Sequence, residues 1–278
     1  MLSGIPTHLY LCIMIENNYI EINKQLWNKR TGVHYTSGFY GVDAFLQGKS
    51  SLNKIELELV GDVDGKSLLH LQCHFGMDTL SFARMGAEVT GIDLSDEAIN
   101  KANELKEKSN LNAEFICCNV YETLNNINKK YDIVFTSYGT IGWLPDLKKW
   151  GEVIAGALKP GGMLIFVEFH PVVWMYDHSI SKIEYSYFKG KEIEEEEEGT
   201  YANRYADIKL KSISWNHSLD ESITALLDAG LTIETFKEFD YSPYDIYNSS
   251  TKTEEGYFQI KGFEGMLPLV FAIKAMKK

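Results

Sequence analysis

Between Leu68 and Ser95 the chain reads LLHLQCHFGMDTLSFARMGAEVTGIDLS: an apolar strand, a tight loop, a helix closed by Gly86, and a second apolar strand ending in Asp93. No other stretch constrains the fold as strongly. Two strands joined through a helix run parallel, and a parallel sheet needs apolar strands because helices cover both its faces. The same alternation then repeats. Ser95 is placed as an N-cap, with Asp96 and Glu97 in the first turn of a helix reaching about Lys108. AEFICCNV and YDIVFTSY are the third and fourth strands. A helix from about Asp146 to Leu158, the turn KPGG and the strand MLIFVEFH complete the series. Five strands with intervening helices predict a doubly wound, Rossmann-like α/β sheet.

Outside this core the pattern changes twice. Residues 19–62 read as helical, interrupted by WNKRTGVHYTSGFYG as an aromatic loop. After Pro171, alternation in KIEYSYFKG and YADIKLKSISW predicts antiparallel strands around the acidic run Glu194–Glu198, which reads as a solvated loop. SLDESITALLDAG returns to helical spacing, with Ser218 and Glu221 as a capping box. LTIETFKEF and PLVFAIKAM leave no room between them for a crossover helix, so they form an antiparallel hairpin with a long loop at 240–266. The predicted divisions are an N-terminal extension and helical cap (1–62), the α/β core (63–170), an antiparallel β flap (171–217) and the remainder of the core (218–278), with a terminal antiparallel strand in a seven-stranded sheet.

Charge and cysteine content narrow the function classes. With 39 acids against 27 bases the formal net charge is −12, and no Lys/Arg run exceeds two residues. That balance opposes binding to nucleic acid or to an anionic membrane surface. Cys12, Cys73, Cys117 and Cys118 match neither a disulfide framework nor a zinc site, so reduced thiols and no metal are expected. The apolar run Leu9–Ile15 lacks a basic flank and is far too short for a span, which predicts a cytoplasmic protein. Residues 1–13 are expected to be a dispensable extension.

At the end of the first strand, His70, Gln72 and His74 would share one side of an extended chain, opposite Leu69, Leu71 and Cys73. Polar residues at the carboxyl end of a buried parallel strand mark a ligand crevice. The succession of five α/β strands, a helix and a terminal antiparallel pair resembles the class I S-adenosylmethionine-dependent methyltransferases, over about 66–170 closely and 216–278 more loosely. In that family the first loop commonly runs hydrophobic-Asp-hydrophobic-Gly-x-Gly-x-Gly, which falls here on Leu69, His70, Leu71, Gln72, Cys73, His74, Phe75 and Gly76. One glycine remains and the acid is replaced, as in a divergent branch with a HLQCHFG-type loop.

The resemblance implies S-adenosyl-L-methionine as cofactor, a small-molecule methyl acceptor and in-line methyl transfer. It places Asp93 on the ribose hydroxyls, Leu94 against adenine, and Asn119 with Val120 at the adenine edge. His70, Gln72, His74 and Gly76 form the loop around the amino-acid end. Trp27, His34, Tyr35 and Tyr40 fall on a segment suited to a lid. Tyr138 offers an aromatic face to the sulfonium, and His170 or His34 would be the base where the acceptor carries a proton. Asp78 and Thr79 are expected to cap the following helix. Two alternatives stand beside this: a catalytically silent adenosyl-ligand-binding relative, and an NAD(P)-dependent oxidoreductase, whose G-x-G-x-x-G fails at Gln72, His74 and Met77.

Overall fold

The computed structural model describes residues 7–278 apart from 178 and 248, with side chains from residue 18 onward. In chain order its elements are α1 (Thr7–Tyr35), α2 (Val42–Leu46), α3 (Lys54–Val60), β1 (Ser67–Leu71), α4 (Met77–Arg84), β2 (Glu88–Asp93), α5 (Asp96–Ser109), β3 (Glu114–Cys117), α6 (Thr123–Asn126), β4 (Tyr131–Ser137), α7 (Leu147–Ala157), β5 (Leu158–Phe169), β6 (Ile193–Glu198), β7 (Lys209–Ser214), α8 (Leu219–Asp228), β8 (Leu231–Phe239), β9 (Ser250–Lys252), β10 (Phe258–Ile260) and β11 (Val270–Lys277).

Seven strands form one sheet in the order β3-β2-β1-β4-β5-β11-β8. The first five are parallel, and β11 inserts antiparallel between β5 and β8. All five residues of β1 are buried, as a central strand covered on both faces requires. One apolar layer packs α7 and α8 on the sheet around Trp150, Phe166 and Phe271; the other packs α3 and α4 around Phe82, Phe135 and Ile165. Ser95 caps α5 by accepting from Ala98 N at 3.0 Å. Strand order reverses between β1 and β4, and the ligand crevice of such sheets lies beyond the strand ends at that switch point.

Several expectations for the decorations are corrected. Residues 27–35 are not a loop but the last turns of α1. Weak local propensity at Thr31, Gly32 and Val33 is overridden by tertiary anchors. Asn23 exchanges two hydrogen bonds with Ile213 of β7 (2.7 and 3.0 Å), and Asn28 Oδ1 accepts from Ser95 Oγ (2.6 Å). The acidic run Glu194–Glu198 is strand β6, not a loop, paired antiparallel to β7. Its alternation sends Glu194, Glu196 and Glu198 to solvent, where Lys209 faces the last two. KIEYSYFKG forms no strand beyond the bridge Tyr176–Ile183. The loop at 240–266 contains the small hairpin β9–β10. The expectation for residues 1–13 falls on residues outside the described ones at 1–6 and on side chains outside the described ones at 7–13. Among the described residues no helix is long and apolar enough to cross a membrane.

Candidate active site

The carboxyl ends of β1, β2 and β4 open into a cavity of about 1100 Å³, roofed by α1 on one side and the β6–β7 flap on another. Its floor is the first loop. The chain leaves β1 with Gln72 at φ 55°, His74 at φ 50° and Gly76 at φ 76°. These are the three positions of the family's glycines, and all keep the left-handed backbone that glycine adopts freely. The loop therefore has the glycine-type path with two side chains added, at a strain of about 1–2 kcal/mol for each.

Because Gln72 and His74 are left-handed, the alternation expected of an extended strand ends at Leu71, and the three polar side chains diverge. His70 turns beneath the loop, its Nδ1 2.8 Å from Thr79 Oγ1. Burial drives its pKa down to about 3, so it is a neutral imidazole. Gln72 lines the cavity and donates Nε2 to Thr140 O at 2.8 Å, which leaves Oε1 buried without a partner. His74 lines the cavity with its Nε2 3.0 Å from His34 Nδ1. Burial, then His34 and Arg30, hold His74 well below the usual histidine range. Gly76 is required by packing: a Cβ there would lie 2.6 Å from the Phe115 ring. Asp78 and Thr79 do not cap α4, whose N-cap is Gly76 with no side-chain bond. Thr79 serves His70, and Asp78 Oδ1 accepts from Ser51 Oγ at 2.6 Å.

Asp93 ends β2 facing the loop. Oδ2 accepts from His74 N (2.8 Å) and Oδ1 from Ser95 N (2.9 Å), so it ties the loop to the start of α5 while keeping lone pairs for a ligand. Burial raises its pKa to about 6, with the backbone donors opposing. Leu94, Asn119 and Val120 line the same wall. Asn119 Oδ1 accepts from Tyr121 N at 3.1 Å, capping a short 3₁₀ turn with one lone pair still free.

At the end of β4, Tyr138 (φ 33°) and Gly139 (φ 75°) are also left-handed. Glu168, which the sequence reading missed, organises them. It is 2% exposed and accepts backbone N–H groups from Gly139, Thr140 (2.7 Å), Ile141 (3.2 Å) and Phe169 (2.7 Å). A carboxylate satisfied by four N–H groups fixes the loop that Gln72 also grips. Glu56 was missed as well. It is fully buried on α3, its Oε1 accepts from Asn53 Nδ2 (3.1 Å), and its Oε2 from the Tyr138 hydroxyl (3.2 Å). Burial, reinforced by Asp78, pushes its pKa to about 7. Only its position in a short amphipathic helix was visible in the sequence, and that pattern reads as a solvated face.

The structure redirects three residues expected to contact ligand. His170 does not line the cavity. Its Nδ1 accepts from Val172 N (3.2 Å) and its Nε2 meets Glu238 Oε1 on β8 (2.9 Å), across the edge of β11. That clamp removes it as a base for an acceptor. His34 is fully buried behind His74 and does not line the cavity, with its pKa lowered to about 3 by burial and by Arg30. Tyr35 packs on Phe75 and under Lys101, outside the cavity wall. Trp27, Tyr40 and Tyr138 do line it. Burial raises the Tyr40, Tyr138, Tyr201 and Tyr244 phenols above their usual range, so none supplies a phenolate. The cavity thus presents aromatic faces, neutral imidazole and carboxylates.

Residues 68–162 match the family described as "Methyltransferase domain". The matched segment runs from β1 through β4 into the start of β5 and includes the loop on the cavity floor. Residues 68–162 thus carry a methyltransferase domain, and the fold of the chain is the one solved S-adenosylmethionine-dependent methyltransferases share. Among solved methyltransferases, an S-adenosylmethionine dependent methyltransferase from Mesorhizobium loti superposes with a TM-score of 0.56 at 18% identity, covering 84% of this chain and 100% of that one. Geranyl diphosphate C-methyltransferase from Streptomyces coelicolor, solved with S-adenosyl-L-homocysteine, gives 0.56 at 15% identity over 94% and 98%. A curated methyltransferase, the ubiquinone biosynthesis O-methyltransferase of Coxiella burnetii (strain Dugway 5J108-111), is 28% identical over 137 residues, 48% of this chain. The match spans 58% of that relative's length. Against this methyltransferase frame, the departures are Gln72, His74 and the neutral His70.

Proposed function

We propose that the protein transfers a methyl group from S-adenosyl-L-methionine to a small-molecule acceptor held in the aromatic part of the cavity. The observation that carries this reading is the run of left-handed residues at 72, 74 and 76 tied to the Asp93 carboxylate beside one cavity. Asp93 would accept the ribose hydroxyls, Leu94 would pack against the adenine, and Asn119, through its free lone pair, with the Val120 backbone N–H would meet the adenine edge. Tyr138 would offer its ring to the sulfonium.

The cofactor supplies an activated methyl group, so the chain's own work is alignment and exclusion of water. α1, the flap and Trp27 enclose the cavity. With His170 turned away and His34 shielded, proton removal would fall to a carboxylate; Glu56, which does not itself line the cavity, would act through the Tyr138 hydroxyl, and burial holds its pKa at about 7. An acceptor that is already nucleophilic would need no base.

Calorimetric titration with S-adenosylhomocysteine tests the cofactor assignment. Asp93→Ala should weaken binding by at least about tenfold, since each hydrogen bond to its carboxylate contributes about 1.5–3 kcal/mol. An unchanged dissociation constant in a folded Asp93→Ala variant removes Asp93 from the site. Radiolabelled methyl transfer to small-molecule extracts then tests catalysis, and binding without transfer would favour the silent relative.

A further inference from the structure

The match to a methyltransferase domain ends at residue 162, yet two later segments help to wall the cavity. One follows β5 and supplies Val173, Trp174 and Ile180; the other lies in the loop after β8 and supplies Ile246 and Tyr247. Val173, Ile180, Ile246 and Tyr247 pack into one apolar cluster with Phe169 and Tyr138. The Phe169 ring meets Tyr138 at 5.4 Å between centroids and Trp174 at 5.7 Å, the latter edge to face. Tyr138, which the cofactor reading sets against the sulfonium, therefore borders a slot with aromatic and aliphatic sides. Two ties hold the loop that carries Tyr247. Ser242 and Phe258 exchange backbone hydrogen bonds (both 2.8 Å), and Arg204 Nη2, from the flap, donates to Tyr247 O at 2.9 Å.

Tyr247 is 6% exposed, and its hydroxyl is buried without a hydrogen-bond partner. Burial, then the nearby Glu168 charge, raise its pKa, so the proton stays on the oxygen. Glu168 is not its partner: the carboxylate already accepts four backbone N–H groups and the Thr140 hydroxyl (3.0 Å). Among the described residues, the other cavity-lining side chains with a buried unpartnered atom are Arg30, Gln72 and His74, which gather at the first loop instead. A buried hydroxyl left unpaired is costly and points to a missing partner. The charged groups at this end of the cavity are spent. Glu168 is saturated, Asp177 accepts from Ser179, Ser181 and Lys182, and Arg204 grips the loop backbone, at the far end of Tyr247 from its hydroxyl. What the slot presents is ring faces and one unspent hydroxyl.

We propose that Tyr247 is a specificity-determining residue for the methyl acceptor, and that the acceptor is an uncharged ring compound whose own oxygen hydrogen-bonds the Tyr247 hydroxyl. The proposal rests on the methyltransferase reading above, which it deepens by naming the acceptor's class. Apolar walls with few polar groups favour a flat, weakly polar ligand, and the single hydroxyl fixes its orientation beside Tyr138. A buried site built to bond an oxygen also rejects the same ring without one, because the Tyr247 hydroxyl then stays unpaired. Neither a carboxylate nor an ammonium finds an unspent counter-charge in the slot, so a charged ring would lose its water without compensation.

Soluble ring probes test this in NMR titrations with S-adenosylhomocysteine present: 5-hydroxyindole, indole, indole-5-carboxylate and 5-(aminomethyl)indole. The parent is expected to bind 5-hydroxyindole about fivefold or more tighter than indole, as one neutral hydrogen bond in a buried site allows, and both charged probes more weakly than indole. Tyr247→Phe keeps the ring and should bind 5-hydroxyindole and indole within about twofold of each other. It should bind S-adenosylhomocysteine like the parent. Free of ring probes, it should melt at or above the parent's temperature, since the hydroxyl removed has no partner in the fold. A parent without hydroxyl preference, a preference that survives in Tyr247→Phe, or a charged probe bound tightest would overturn the proposal. So would a melting temperature lower by several degrees, which would assign the hydroxyl a structural bond. Titration of the parent with S-adenosylhomocysteine, read first, tests the cofactor reading alone. If it fails to bind, the methyltransferase reading falls and the acceptor assignment with it. If it binds and no ring probe does, the acceptor class is overturned and the cofactor reading stands.

Discussion

Replacing Gln72 by glycine should separate folding from recognition. Gln72 holds φ at 55°, where a residue with a Cβ is strained by about 1–2 kcal/mol. Glycine relieves that strain. It also loses the Nε2–Thr140 O bond, worth about 0.5–1.5 kcal/mol, and adds unfolded-chain entropy of about 0.5–1 kcal/mol. These contributions nearly cancel, so Gln72→Gly should unfold within about 1 kcal/mol of the parent, a shift of at most about 4 °C for a chain of this size. Affinity has no such cancellation. The unpartnered Oε1 is available only to a ligand, and its bond to a charged donor contributes about 1.5–3 kcal/mol, or about 10- to 100-fold in dissociation constant. Calorimetry with S-adenosylhomocysteine and a thermal melt read the two quantities independently. Equal or tighter binding by the variant would refute the reasoning: glutamine would then be a residue merely tolerated where the loop prefers glycine.

Two further perturbations follow from the geometry. Gly76→Ala should destabilise the protein by about 3 kcal/mol, combining a positive φ with a Cβ 2.6 Å from the Phe115 ring, and urea unfolding measures it. Glu56→Gln should change the pH dependence of stability. Burial raises the folded pKa from 4.5 to about 7, so the parent's proton uptake by Glu56 stabilises it below 4.5, and that contribution is lost as pH rises through 7. The variant, lacking this, should gain on the parent by up to about 3 kcal/mol between pH 4.5 and pH 7, then hold steady. Urea midpoints at pH 5 and pH 8 check the sign, and a parallel pair of curves would show that Glu56 titrates normally.

Local pattern in the sequence was enough to identify the strands of the sheet and locate the site's floor. Burial along β1, helical spacing in α5, α7 and α8, and the missing crossover between β8 and β11 each follow from a short run of residues. So does the place of Asp93, because a strand's last residue is set by the strand itself. The polar loop at 70–76 was legible as a ligand crevice, but its geometry was not. Nothing local announces that Gln72 takes left-handed backbone, since its partner, Thr140, lies 68 positions away. The same limit explains the misread decorations. The end of α1 is helical because Asn23 and Asn28 anchor that helix to β7 and α5, and the acidic run is a strand because β7 supplies its pairing. His170 looked like a cavity residue from its place at a strand end. Its direction was decided by Glu238, which lies across β11 at a separation of 68 residues. Glu56 and Glu168 were invisible as site residues for the converse reason: each is buried by what the fold brings over it. Strand and helix identity arise from neighbours within one turn or one pleat. The direction and protonation of a buried polar side chain arise from partners that only chain closure brings within hydrogen-bond distance.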